Sequence, residues 1–90
     1  MQVRASHILV ESQQQAVELR NRITSGFSTF IELAQQYSKC PSGQKGGDLG
    51  DFGPGAMVPA FEKAAFETPV GKVSEPVQTQ FGWHIIQRTA

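Results

Sequence analysis

Strand-like segments lie near both ends of this chain, and they limit the folds that it can form. Val3 to Val10 reads VRASHILV, an alternating run rich in branched apolar residues that predicts a strand. One face of this strand carries Val3, Ala5, His7 and Leu9. Trp83 to Arg88 reads WHIIQR and predicts the last strand. Because 90 residues suffice for one domain but not for two, we expect a single domain over residues 1–90.

Capping patterns predict two helices after the first strand. Ser12 and Gln15 have the spacing of a capping box, as do Thr29 and Glu32, and Gly26 is suited to end the first helix. The inward positions of the first helix are Ala16, Leu19 and Ile23. Those of the second are Phe30, Leu33, Ala34 and Tyr37.

A glycine-rich segment, Ser38 to Gly55, separates these helices from the rest of the chain and holds six of the nine glycines. It has no helical period, although Asp48 to Phe52 is suited to a short strand. Pro59 suits a first helical turn, and Val58 before it should be extended. A loop of this length in a small domain is usually functional or mobile.

The C-terminal third predicts a helix followed by a hairpin. Pro69 and Gly71 end the helix, and Pro76 limits residues 73–79 to a broken or edge strand. Gln80-Phe81-Gly82 is the expected turn. The element order is therefore β-α-α-α-β-α-β-β with about four helices, and the third of them lies within the glycine-rich segment. This order predicts an α+β fold with an antiparallel sheet.

Charge and cysteine content exclude several classes of function. Eight basic residues balance eight acidic ones, so we expect neither nucleic acid nor a membrane as partner. No apolar run is long enough to span a bilayer, and Met1-Gln2-Val3 does not open a secretory signal. Cys40 is the single cysteine, which fits a reducing compartment and predicts a cytoplasmic protein; a processed mature chain or an excised domain would show the same pattern. Two histidines and one thiol are too few for a structural zinc site.

Several short motifs, taken in order, resemble the parvulin family of peptidyl-prolyl cis/trans isomerases. They are SHILV at residues 6–10, CPSG at 40–43, GGDLG at 46–50, MVPAF at 57–61 and FGWHII at 81–86. Each is unspecific alone, but their order covers Val3 to Arg88. The resemblance implies a four-stranded antiparallel sheet surrounded by helices. It also implies that the first and last strands are central neighbours, which would bring His7 and His84 together.

The implied activity is rotation about X–Pro bonds in peptides and in unfolded or flexible protein segments. The barrier of about 18–20 kcal/mol belongs to an amide C–N rotation in which no bond is made or broken, so no cofactor or metal is expected. The implied partners are proline-containing peptides and protein clients, and we expect a monomer. The alternative is a non-catalytic peptide-binding or chaperone module that uses the same cleft.

The resemblance assigns roles to eight residues. It places the proline ring in an apolar slot made by Leu49, Met57, Phe61 and, at the edge, Phe81. It places His7, His84 and Thr79 together, with the Thr79 hydroxyl accepting from one imidazole and the histidine pair holding Cys40. The plain alternative is that the four apolar residues are ordinary core residues and that both histidines are hydrogen-bonded core side chains.

Cys40 allows three interpretations. It is a nucleophile activated by His7, or a polarisable or partly anionic group near the substrate carbonyl, or an inert loop thiol. We favour the second, because many parvulins carry Asp here and a carboxylate replaces a thiolate nucleophile poorly. The loop after the first strand, Glu11 to Gln14, is acidic to neutral, and Lys39 and Lys45 form no basic cluster. We therefore expect no preference for phosphate before proline.

Overall fold

The computed structural model describes residues 2–90 as an α+β fold with one sheet. The strands are β1 (Val3–Val10), β2 (Asp48–Phe52), β3 (Val77–Thr79) and β4 (Gly82–Arg88). The helices are α1 (Gln13–Thr24), α2 (Phe30–Tyr37) and α3 (Pro59–Glu67), with a 3-10 helix at Pro41–Lys45 between α2 and β2. The predicted order is confirmed, but three α-helices are present instead of about four. The remaining one is a short 3-10 helix, which Gly46 ends with a left-handed φ of 73°.

Local sequence signals explain where the helices begin. The Ser12 hydroxyl accepts a hydrogen bond from the Gln15 N–H at 3.2 Å at the start of α1. Thr29 does the same for the Glu32 N–H at 3.2 Å, and its hydroxyl donates to the Glu32 carboxylate at 2.9 Å. The bonds donated by the Gln15 and Glu32 N–H groups satisfy backbone donors that have no partner inside the helix. Val58 is extended before Pro59, as predicted.

The strand order β2-β1-β4-β3 places the first and last long strands at the centre of the sheet. All neighbouring strands are antiparallel, and β1 pairs with β4 from Ala5 opposite Arg88 to Val10 opposite Trp83. β3 lies at the edge of the sheet. Pro76, which has no N–H to donate, comes just before this edge strand and so costs no hydrogen bond between central strands. The predicted antiparallel sheet, its central pair and its edge strand are all confirmed.

The sheet has a hydrophobic core on each face. One core, built around Ile8, Val10 and Ile85, is covered by buried residues of α1 and α2. The other contains Val3, Ala5 and Ile86 and is covered by Phe61 and Ala65 of α3. β1 is buried on both faces of the sheet. Its alternate side chains therefore point into one core or the other, instead of alternating between core and solvent. None of the helices within residues 2–90 has the length and hydropathy needed to cross a bilayer.

Tyr37 corrects one prediction about α2. Phe30, Leu33 and Ala34 are buried as expected, but Tyr37 is 39% exposed. It lies in the last turn of α2, and the Arg22 guanidinium lies 5.9 Å from its ring centroid. The inward stripe therefore stops one turn before the helix ends, and a cation–π contact occupies the tyrosine ring.

Candidate active site

His7 and His84 lie side by side on the sheet face that α3 covers. Leu9 is opposite His84 and His7 is opposite Ile86, so the two histidines are diagonal neighbours across β1 and β4. Their Nδ1 atoms are 2.9 Å apart, and the two rings lie nearly parallel, at 17°, with centroids 5.1 Å apart. His7 is 6% exposed and His84 is 4% exposed. The predicted proximity of the two imidazoles is confirmed.

Thr79 extends this contact into a short hydrogen-bonded chain. Its Oγ1 lies 2.7 Å from His84 Nε2 and accepts from the Phe81 N–H at 3.2 Å. A bond between two Nδ1 atoms requires one N–H and one lone pair, so at least one ring is neutral. Two arrangements satisfy the chain: Thr79 donates to His84 and His84 to His7, or His7 donates to His84 and His84 to Thr79. The predicted contact is present, and Thr79 lies behind His84, outside the cleft wall.

Burial keeps both imidazoles neutral at pH 7. Burial, and after it the charge of a protonated His84 nearby, lowers the pKa of His7 to about 4. Burial also lowers the pKa of His84. At pH 7 the pair is therefore polar but uncharged, and it is not a cationic site.

An apolar cleft of about 470 Å³ opens over the histidine pair. The four residues predicted for the proline slot line this cleft together with His7, His84 and Cys40; they are Leu49, Met57, Phe61 and Phe81. Phe61 is 3% exposed, and its ring meets both imidazoles edge to face, with centroids 5.4 Å from His7 and 5.3 Å from His84. Phe81 is 64% exposed at the rim. Phe61 is thus buried at the floor of the cleft, and Phe81 lies at its edge as predicted.

Cys40 lines the cleft, but the histidine pair does not hold it. Its Sγ accepts a hydrogen bond from the Ser42 hydroxyl at 3.2 Å. His7 Nε2 is buried and has no hydrogen-bond partner among residues 2–90. The prediction that the pair holds Cys40 is therefore wrong. The reason is local, because Cys40 precedes the 3-10 helix and the first turn brings Ser42 under the thiol. Activation of the thiol by His7 loses its structural basis.

Gly47 is a site residue to which the sequence pattern alone gave no role. The His7 N–H donates to the Gly47 carbonyl at 2.9 Å, which ties the backbone of His7 to the segment before β2. Gly47 has a φ of 84°, and a Cβ there would overlap the His7 carbonyl oxygen. The second glycine of GGDLG thus allows a close backbone approach that positions His7. The paired glycines of the GGDLG motif were the sequence signal from which this close approach could have been predicted.

Five residues that line the cleft were not predicted for it: Leu9, Lys39, Pro41, Ala56 and Val58. Lys39 lines it and forms an ion pair with Glu11. Leu9 also lines it, on the same strand face as His7. The sequence offered a signal only for Leu9, through strand alternation. Among residues 2–90, no group of three His, Cys, Asp or Glu side chains is arranged to hold a metal ion.

Comparison with known proteins identifies relatives along nearly the whole chain. A rotamase family profile described as "PPIC-type PPIASE domain" matches residues 6–90. The foldase protein PrsA of Geobacillus sp. (strain WCH70) is 51% identical over 88 residues, which cover 97% of this chain and 32% of that protein. The chain therefore spans about a third of the length of the curated relatives that it matches.

Solved structures share the fold. A peptidylprolyl isomerase (PrsA) from Bacillus anthracis aligns with a TM-score of 0.96 at 46% identity, over 99% of this chain and 41% of that one. NmPin, the parvuline of Nitrosopumilus maritimus, aligns with a TM-score of 0.89 at 43% identity, over 99% of this chain and 96% of that one. The second of these is a domain of nearly the same extent.

Proposed function

The chain belongs to the PPIC-type peptidyl-prolyl cis/trans isomerase family, the parvulins, and on that premise we propose that its cleft accelerates rotation about X–Pro bonds without requiring phosphate. The substrates are peptides and unfolded or flexible protein segments. The observation that carries this proposal is the apolar cleft of about 470 Å³ with a neutral, hydrogen-bonded histidine pair at its base.

The cleft suits a reaction in which a planar amide must twist. Resonance makes the ground-state amide strongly polar, and water stabilises that polarity. The transition state has lost resonance, so removal of water favours it relative to the ground state. Leu49, Met57 and Phe61 supply the apolar surface that binds a proline ring. Burial of the ring also holds one side of the bond while the other side rotates.

The histidine pair gives the cleft floor its shape and its dipoles. The two imidazoles hold each other through the Nδ1 atoms, and the ring of Phe61 rests against both. No proton needs to be transferred, because rotation makes and breaks no bond. The pair therefore acts by position, while Cys40 lies on the cleft wall as a polarisable group near the rotating carbonyl.

Lack of phosphate specificity follows from the charges at the cleft. Phosphate recognition by proteins uses clustered Arg or Lys donors. Lys39 is the one Lys or Arg among the cleft-lining residues of the described chain, and it is already paired with Glu11. A monomeric, cytoplasmic protein, without nucleic-acid or membrane partners, stays a prediction from composition.

The proposal is tested with a protease-free cis/trans assay on tetrapeptides in which the residue before proline is varied. We expect Leu, Met and Ala before proline to give faster turnover than Glu, and phosphoserine to be no better than Glu. Binding without any acceleration would instead indicate a non-catalytic peptide-binding module. A phosphoserine-proline peptide turned over faster than its alanine counterpart would contradict the proposed specificity.

A further inference from the structure

Lys39 is the single permanently charged side chain among the described residues that line the cleft. The other cleft-lining residues are apolar, apart from the two neutral imidazoles and the Cys40 thiol. A free ammonium group in such a place would attract a carboxylate on a bound peptide. Lys39 is not free, however, because its Nζ forms a hydrogen-bonded ion pair with Glu11 Oε1.

The backbone holds both members of this ion pair in place. Glu11 directly follows the last residue of β1. The Lys39 N–H donates to the Leu9 carbonyl at 2.8 Å, and the Leu9 N–H donates to the Ser38 hydroxyl at 3.1 Å. The segment that carries Lys39 is therefore bound to the end of β1, two residues before Glu11. Only the two side chains must be ordered for the pair to form, which limits its entropic cost.

The pair is accessible to a substrate. The Glu11 side chain is 75% exposed and the Lys39 side chain is 53% exposed. A hydrogen bond from Lys39 and its positive charge lower the pKa of Glu11, so the carboxylate is ionised at neutral pH. Glu11 thus holds an exposed negative charge next to the cleft-lining Lys39 and neutralises the positive charge of that lysine.

Resting on the proposed isomerase function, we propose that Glu11 determines substrate specificity by occupying Lys39. With the carboxylate present, an acidic residue next to the substrate proline meets a neutralised lysine and a repelling glutamate. Without it, the same acidic residue meets a free ammonium group. One exposed side chain outside the apolar slot therefore sets the preference for uncharged over acidic residues beside proline.

The test compares Glu11→Gln with the wild-type chain on matched peptides. One pair of peptides carries Glu or Gln immediately before proline, and a second pair carries them immediately after. The measured quantity is the ratio of kcat/KM for the Glu peptide to that for its Gln partner. For at least one pair we expect this ratio to rise about two- to fivefold at low ionic strength, the range typical of exposed ion pairs. The rise should shrink at high salt, because exposed charges are screened.

Two controls separate this effect from a change in net charge. Glu75→Gln alters the net charge by the same amount, but Glu75 pairs with Arg20, and neither lines the cleft. Its Glu-to-Gln peptide ratios should equal those of the wild type. In the double variant Glu11→Gln with Lys39→Met, the ratios should return to about the wild-type values, because no ammonium group remains.

The same ratios are also measured as affinities by NMR titration of each peptide. If wild type binds but does not turn over any peptide, the proposed isomerase function fails, while the affinity ratios still decide the role of Glu11. Unchanged ratios for both peptide pairs in Glu11→Gln overturn the role of Glu11 and leave the isomerase function untouched. A rise that persists in the double variant, or one that also occurs in Glu75→Gln, overturns it as well.

Discussion

His7 and His84 are 77 positions apart in the chain, yet their Nδ1 atoms lie 2.9 Å apart. Such a bond can form only while one of the two rings offers a lone pair. Protonation of both rings would remove the bond and place two like charges in a buried site, so the pair resists protonation. The state of this one contact thus couples the stability of the sheet to the shape of the cleft.

Acid should destabilise the fold through this pair. The His7 pKa is lowered from 6.5 to about 4, so the unfolded chain binds this proton at a higher pH than the folded chain does. The free energy of unfolding should therefore fall as pH decreases from about 6.5 to about 4, by on the order of 2–3 kcal/mol. Denaturant titrations followed by the fluorescence of Trp83, which packs in the core on the opposite sheet face, measure this change.

His7→Asn supplies the matched comparison, since its amide keeps a hydrogen-bonding group but does not titrate. Its stability should vary less over the same pH range. Carboxylates whose pKa is lowered by an ion pair, such as Glu11 and Asp48, also cost stability as pH falls, but they do so equally in the variant and the wild type, so the difference between the two proteins isolates His7. Equal pH slopes in the variant and the wild type would show that the pair is not the source.

Thr79 should stabilise His84 through its hydroxyl alone. Thr79→Val keeps the shape of the side chain but leaves His84 Nε2 and the Phe81 N–H without their partner. We expect a loss of about 1–3 kcal/mol in stability and a lower kcat/KM. Thr79→Ser restores the hydroxyl and should recover most of both. If valine and serine behave alike, the bond to His84 does not hold the ring.

Much of the fold was predictable because its signals are local. The caps at Ser12 and Thr29 and the proline at residue 59 mark helix starts by chemistry that neighbouring residues supply. The central pairing of β1 with β4 was not local and came from the family resemblance. The 3-10 helix has no periodicity to detect over five residues. The exposure of Tyr37 depends on how far the neighbouring elements extend along α2. The helical spacing of apolar residues carries no information about that extent.

The site was predictable in its members but less so in its contacts. The family motifs located His7, His84 and the apolar lining of the cleft. They did not show that Ser42 binds the Cys40 thiol, or that Lys39 pairs with Glu11 across 28 positions. Such polar contacts depend on rotamers and loop paths that no periodic pattern encodes. The catalytic and binding roles of the eight residues stay predictions, and the variants described here address them.

Cys40 should act by its polarity and not as a nucleophile. The Ser42 hydroxyl that donates to its Sγ at 3.2 Å can also donate to a carboxylate at this position. Cys40→Asp should therefore retain substantial activity, while Cys40→Ala should lose more. Mass spectrometry during turnover should show no covalent adduct with the peptide. A trapped adduct, or complete inactivity of the aspartate variant, would overturn this prediction.

Gly47 should be required because the backbone of His7 passes close to it. Gly50 is the matched control, since it shares the left-handed backbone of Gly47 but has no close neighbour. Both have left-handed φ values, 84° and 72°, so alanine at either position is strained by about 1–3 kcal/mol. Only at Gly47 would the added Cβ overlap the His7 carbonyl oxygen, whereas nothing lies within 4 Å at Gly50. Gly47→Ala should therefore cost about 1–3 kcal/mol more than Gly50→Ala.

The extra cost should be accompanied by displacement of His7, because the Gly47 carbonyl accepts the His7 N–H at 2.9 Å. Denaturant titrations measure the difference in stability, and NMR of the imidazole resonances reports whether the histidine pair moves. We expect Gly47→Ala to shift these resonances and to lower kcat/KM, with smaller changes in Gly50→Ala. Equal stability losses with unchanged imidazole resonances in both variants would mean that strain alone explains the glycine at position 47.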